Sequence, residues 1–185
     1  MRVLALADKR PPLDPALMAE QMGVEAVVCL GDLDRAWIES LARLGVPRLG
    51  VHGNHDPPDL LREVEVEDLH GRRTSLRGLT VAGFEGCVRY GHGGPHHRTQ
   101  REGRKLARRL PAADVLLCHC PPFGINDDPD DPAHVGWEGL LEWMERHQPR
   151  HLLHGHTHPI GGRVTTCYGS TRVHWISGAR VVRLD

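Results

Sequence analysis

Aromatic side chains are scarce, at 4% of the chain, with two tyrosines, two phenylalanines and four tryptophans. A surface that stacks successive bases needs aromatics interleaved with cations, so this scarcity argues against single-strand nucleic-acid recognition. Lysine is nearly missing too: Lys9 and Lys105 are the only ones, and arginine carries the rest of the basic charge. The formal net charge of −1 argues against a protein that coats nucleic acid, while leaving room for a local basic face. No apolar run approaches the roughly 18 residues that a membrane-spanning helix requires. The opening run Val3–Ala7 is too short, and meets Asp8 too soon, to be a signal peptide. The five cysteines are an odd number without framework spacing, which leads us to expect reduced thiols and a cytoplasmic location. Repeats, linkers and low-complexity segments are absent. A chain of 185 residues is expected to form one domain, 1–185, and to bury about two thirds of its unfolded surface without disulfides.

What is there is a rhythm of short apolar runs, each ending on a polar turn. Val3–Ala7 ends at Asp8, Glu25–Leu30 at Gly31-Asp32, and Pro47–Val51 at His52-Gly53-Asn54-His55. Between them, Asp14 can cap a helix over Pro15–Met22, and Arg35–Leu44 has helical spacing. Strand–turn–helix repetition predicts an α/β fold with a parallel sheet at its start. Val64–Glu67, Thr74–Leu76 and Leu79–Ala82 suit antiparallel hairpins, and the glycine- and histidine-rich Phe84–His97 suits a loop. Thr99–Leu110 is expected as a basic helix, Asp114–Cys118 as a strand ending at His119, and Ile125–Val135 as an acidic, proline-broken loop. Gly136–Arg146 has the spacing of an amphipathic helix, and His151–His154 that of a strand delivering Gly155-His156-Thr157-His158. Arg163–Thr166, Thr171–Ile176 and Arg180–Leu184 close the chain as strands. Ligands should gather at the carboxyl ends of the strands, as in open α/β sheets.

Five strand ends thus offer carboxylate, amide or imidazole groups. Oxygen and imidazole donors without a thiolate set suit Mn²⁺, Fe²⁺ or Zn²⁺ in a reactive site rather than a structural zinc knuckle. Two neighbouring cations need a bridging anion, for which Asp32 is the candidate. Asn54 adds a neutral oxygen, and His55 can stay off the metals and handle a proton. Taken alone, His119 would more often be a satisfied core histidine; beside the two tetrads it becomes a ligand candidate. Cys118 and Cys120 flank it on the opposite strand face and read as packing residues.

The order Asp8, Gly31-Asp32, Gly53-Asn54-His55-Asp56, His119 and Gly155-His156-Thr157-His158 resembles the calcineurin-like metallophosphoesterases over nearly the whole chain. The resemblance implies a four-layer α/β/β/α sandwich with two mixed β-sheets and a metal site at the strand C-terminal edge. It puts Asp8 and His158 on a first metal, Asp32 between the two, and Asn54, His119 and His156 on a second. His55 would be the proton donor, and Asp56 would orient it. Two divalent transition metals follow, Mn²⁺ first, with Fe²⁺, Zn²⁺ or Ni²⁺ as alternatives.

One position departs from the pattern. The family's first motif is usually Asp-x-His, and here it is Asp8-Lys9-Arg10. A guanidinium cannot ligate a cation. Three outcomes stand open: a weak first metal, another histidine in its place with His92, His96 and His97 as the reservoir, or Arg10 turned toward a substrate phosphate. Arg89 and Tyr90 suit phosphate and base contacts, with His92 beside them.

The chemistry expected is hydrolysis of a phosphoester substrate by a metal-activated hydroxide, phosphodiesters ahead of monoesters. Nucleic-acid end processing along the Arg98–Arg109 stripe is an alternative, as is a catalytically weakened metal-binding scaffold. Asp127, Asp128, Asp130 and Asp131 do not follow EF-hand spacing and read as a solvated loop. No membrane partner is expected, and the sequence does not set the oligomeric state.

Overall fold

Each apolar run is continuous rather than alternating, as befits strands covered on both faces. In the computed structural model, which describes residues 1–159 and 163–185, these runs become the centres of two sheets. The first half of the chain supplies β1 (Arg2–Ala7), α1 (Pro15–Gln21), β2 (Ala26–Cys29), α2 (Arg35–Ile38), β3 (Arg48–Gly50), α3 (Leu60–Glu63) and β4 (Glu67–Asp68). Next come β5 (Arg73–Leu76), β6 (Leu79–Phe84), β7 (Cys87–Val88), β8 (His97–Arg98), α4 (Gln100–Ala107) and β9 (Val115–Cys118). The chain closes with α5 (Glu138–His147), β10 (His151–His154), β11 (Cys167–Tyr168), β12 (Thr171–Trp175) and β13 (Gly178–Arg183).

One sheet has the order β13-β1-β2-β3-β4, with β1 to β4 parallel and β13 antiparallel to β1. The other has the order β11-β12-β10-β9-β6-β5, parallel through β12, β10, β9 and β6 and antiparallel at both edges. Both sheets are therefore mixed. Apolar residues sort into three layers. Val3, Ala5 and Val28 of one sheet meet Val81, Leu117 and Leu153 of the other. The opposite face of the first sheet, with Leu4, Leu6 and Val27, packs on Ala16, Met18, Ile38 and Leu60. The opposite face of the second, with Phe84, Leu116 and Leu152, packs on Ala107, Leu140, Trp143 and Met144. Helices, sheet, sheet, helices is the resulting order of burial.

Local chemistry explains the helix starts. Asp14 accepts from the Leu17 amide at 2.9 Å with Pro15 in the first turn, and Asp34 accepts from Ala36 at 2.8 Å. Thr99 and Glu102 form a capping box on α4. The periodic stretch Arg35–Leu44 does not form one helix. Ile38 (φ −123°, ψ −2°) interrupts it, and Glu39–Arg43 continues as a 3₁₀ turn.

Three further expectations are corrected. Val64–Glu67 is not a hairpin strand: Glu65 takes φ 55°, Val66 bonds back to Leu61, and both valines pack under the first sheet before β4 pairs parallel to β3. Phe84–His97 is not wholly loop, because β7 and β8 pair in parallel. Gly86, at φ 67°, permits this: a Cβ there would stand 1.8 Å from the His96 carbonyl. Arg163–Thr166 is not a strand, since the backbone of Thr165 bonds to the Asn126 side chain on both its N–H and its C=O.

Candidate metal centre

Asp8 follows β1, Asp32 follows β2, Asn54 follows β3, His119 follows β9 and His156 follows β10. These are the carboxyl ends of parallel strands from both sheets, brought to one edge. Asp8, Asp32 and His156 take φ values of 60°, 53° and 66°. A non-glycine residue in the left-handed region costs about 1–3 kcal/mol and persists where surrounding structure compels it. Here the tight turn swings each side chain inward from the end of its strand. Gly31 and Gly53 let two of these turns touch, since a Cβ on Gly31 would lie 2.2 Å from the Gly53 amide nitrogen.

The donors converge. His119 Nε2 is 2.9 Å from Asn54 Oδ1 and 3.5 Å from Asp32 Oδ2. Ligand atoms of Asp32, His119 and His156 all lie within 4.8 Å of one another. Both histidines are oriented through their far nitrogens: His119 Nδ1 donates to the Leu30 carbonyl at 2.8 Å, and His156 Nε2 to the Ala133 carbonyl at 2.8 Å. That arrangement fixes the ring and turns the other nitrogen toward the centre, as metal-bound imidazoles require. Asp8 accepts from the His156 amide with both carboxylate oxygens at 3.0 Å. It lines a cleft of about 380 Å³ together with Asp32, Asn54, His55, His156 and His158.

The charges fit a cation. Burial pushes the Asp8 carboxyl up to about 6, against the lowering effects of nearby His119 and of the His156 amide. Burial also works to raise Asp32 and to lower His119, but their mutual contact prevails: the carboxyl is held low and the imidazole high. Burial pushes His156 down to about 3, leaving a neutral imidazole fit to ligate. Hard oxygen and imidazole donors, a deep carboxylate pair and carbonyl-oriented rings together suit divalent metal.

The remaining candidates are distributed unevenly. His55 is exposed at the cleft, and its amide donates to Asp32 Oδ1 at 2.9 Å. Asp56 does not orient the His55 ring. Its buried carboxylate instead accepts from the amides of Gly53 (2.7 Å), Leu33 (2.9 Å) and Asp32 (3.0 Å), because the β2 and β3 turns would otherwise leave those donors unpaired. Tyr90 reaches the cleft, where its hydroxyl accepts from Asn54 Nδ2 at 3.2 Å. Arg10 is exposed and lines a neighbouring depression with Pro11, Pro12 and Trp37, not the cleft. Arg89 pairs with Glu102 at 3.7 Å, and His92 is exposed outside the cleft lining. The Arg98–Arg109 stripe is partly engaged within the fold: Arg98 turns inward to Glu85, and Arg104 binds Glu138 and Glu142.

Sequence reasoning missed two groups. His134 lines the cleft; the Asp131-x-x-His134 spacing accounts for its pairing with Asp131 but not for its place at the cleft. Glu85 is buried among His52, His96 and Arg98 and ties β8 beneath the Asn54 turn; no local pattern announced it. Of the other flanking histidines, His154 is buried against Asn126.

Residues 10–159 match the model of the calcineurin-like phosphoesterase family, and the chain belongs to that family. It is a metal-binding phosphoric ester hydrolase. Among curated relatives it is 27% identical over 179 residues to UDP-2,3-diacylglucosamine hydrolase of Salmonella arizonae, covering 77% of this chain and 72% of that protein. The Shigella dysenteriae protein of the same name is likewise 27% identical, with the same coverage. The crystal structure of TT1561 of Thermus thermophilus shares the fold with a TM-score of 0.61 at 18% identity, covering 93% of this chain and 87% of that one. Among the described residues no helix is long and apolar enough to cross a membrane.

Proposed function

We propose that this chain hydrolyses phosphodiester bonds with two divalent cations, Mn²⁺ foremost. The observation that carries this reading is the convergence of Asp32, His119 and His156 within 4.8 Å, with Asn54 Oδ1 2.9 Å from His119 Nε2. Asp32, His119, His156 and Asn54 would hold one cation, and Asp8 and His158 the other, with Asp32 between them. When bound, such cations lower the pKa of water toward ~7 and neutralise charge on the phosphoryl oxygens.

The protein groups do the rest. Tyr90 holds the Asn54 amide so that its oxygen faces His119 and its nitrogen faces the cleft mouth. Asp56 fixes the two turns that carry Asp32 and Asn54. His55, exposed at the cleft, is placed to give a proton to the leaving oxygen. A preference for disubstituted phosphates over monoesters is supported by similarity to hydrolases of a UDP-sugar, in whose diphosphate each phosphorus carries one ester and one anhydride linkage. A cytoplasmic setting goes with it: all five cysteines are free thiols, four of them buried.

The test is hydrolysis of bis-p-nitrophenyl phosphate against p-nitrophenyl phosphate with Mn²⁺, with Asp32→Ala as control. Faster turnover of the diester, abolished in Asp32→Ala, is the expected result. Activity that survives Asp32→Ala on both substrates would refute the assignment.

A further inference from the structure

The histidine usual in the family's first motif is absent from this chain, where Arg10 stands in its place in the sequence. Arg10 faces the depression of Pro11, Pro12 and Trp37. Of the three histidines in the glycine-rich segment, His92 is exposed away from the cleft, His96 is buried on Glu85 at 3.1 Å, and His97 packs edge-on against Tyr90. None of them lines the cleft.

His134 does. It shares the cleft with Asp8, His156 and His158, and its ring centroid lies 5.3 Å from that of His156 and 5.9 Å from that of His158. For comparison, the rings of His119 and His156, both oriented toward one centre, are 4.8 Å apart. Its Nδ1 is held by Asp131 Oδ2 at 2.5 Å, and among the described residues its Nε2 makes no hydrogen bond. A carboxylate on one ring nitrogen fixes the tautomer that leaves the other nitrogen unprotonated, the arrangement of a metal-binding imidazole. His119 and His156 show the same pattern with carbonyls.

The segment carrying His134 is also built to hold that position. His156 donates to the carbonyl of the preceding residue, Ala133. Asp131 caps the Ala133 amide at 2.9 Å, Asp127 caps Gly136 at 2.9 Å, and the His134 carbonyl accepts from Asp128 at 3.1 Å. The acidic residues expected as a solvated loop thus frame an imidazole at the cleft.

We propose that His134, oriented by Asp131, replaces the missing first-motif histidine as a ligand of the divalent cation beside Asp8 and His158. The inference rests on the two-metal reading above. It makes the two-metal site depend on a residue more than 120 positions from the usual one, as permitted by a site assembled from loops.

Mn²⁺ binding by equilibrium dialysis with elemental analysis tests it, together with the absorption spectrum of the Co²⁺-loaded protein. His134→Ala should keep one tightly held ion and lose the second, or weaken it at least ~10-fold, with a changed Co²⁺ spectrum. Asp131→Asn should weaken the second ion by ~10–100-fold, the usual effect of removing a ligand's orienting partner. His147→Ala, remote from the cleft, should alter neither, and circular dichroism with thermal melting confirms that each variant is folded. His134→Gln serves if the alanine variant does not fold. Two ions held by the His134 variants with unchanged affinity and spectrum would overturn the proposal, even if KM or kcat changed. Loss of ions in Asp32→Ala alongside that result would leave the phosphoesterase reading standing; retention of both ions and activity in Asp32→Ala would sink that reading first.

Discussion

The Tyr90 hydroxyl accepts a hydrogen bond from Asn54 Nδ2 at 3.2 Å, while the other end of the same amide meets His119 at 2.9 Å. An amide can present either its oxygen or its nitrogen to the centre, and only the oxygen can ligate a cation. Tyr90 thereby selects the useful orientation. Tyr90→Phe removes about 1 kcal/mol of that preference. We expect Mn²⁺ affinity to fall by several-fold, read by titration calorimetry, with the fold unaffected. Unchanged affinity combined with a raised KM would assign Tyr90 to substrate instead.

Asp56 carries the turns rather than the proton chemistry. Its carboxylate closes three backbone donors on two loops that bear Asp32 and Asn54. Hydrogen bonds to an ionised acceptor are worth about 1.5–3 kcal/mol each and are not additive. Asp56→Ala should therefore destabilise the metal-free protein by about 3 kcal/mol or more in urea unfolding, and Asp56→Asn by less. If stability were preserved while only the pH–rate profile moved, Asp56 would belong with His55 after all.

Glu85 makes stability depend on acid. It accepts from Arg98 at 2.5 Å and faces His96 at 3.1 Å and His52 at 3.5 Å. Burial works to raise its carboxyl, but the facing His52 and His96 imidazoles, with Arg98, hold it far below the ordinary 4.5. A carboxyl depressed on folding contributes stability that is complete above its unfolded value and lost as pH falls toward its folded one. Stability should therefore decline below about pH 4.5, where the unfolded chain takes up the proton first. Glu85→Gln leaves Arg98 without its anion and should cost about 3–5 kcal/mol at pH 7. The gap between the two proteins should narrow steadily as pH drops from 4.5, measured by denaturant titration at each pH.

The positions at the strand ends were legible because an apolar run followed by a polar turn is a local pattern. Asp8, Asp32, Asn54, His119 and His156 each stand where such a run stops. Side-chain direction was not legible. Whether Asp56 turns to His55 or to the Gly53 amide depends on the β2 turn, more than 20 residues earlier. His134 was hidden for the same reason: the path of its loop is set by Asn126 bonding to Thr165 and by His156 bonding to Ala133, contacts that no window of neighbouring residues contains. Likewise Val64 and Val66 had strand composition, but packing under the first sheet placed Glu65 in a left-handed turn between them. Propensity is a weak guide where burial decides.

In the proposed mechanism, His55 separates chemistry from metal binding. Its backbone amide bonds to Asp32, so that the turn is fixed whichever side chain it carries, while the imidazole is exposed at the cleft. On the proposed reading, removing the imidazole takes away a proton donor while leaving the side chains of Asp32, His119 and His156 in place. General acid–base groups typically contribute ~10²–10⁴-fold to turnover. His55→Ala should therefore lower kcat on a diester within that range and leave Mn²⁺ affinity and stoichiometry as they are. The loss should be greatest for substrates with poorly acidic leaving groups, which need the proton, and smallest for p-nitrophenolate, which does not. An equal loss across leaving groups would show that the imidazole stabilises charge on the phosphoryl group rather than protonating the departing oxygen, and a loss of bound metal would place it among the ligands.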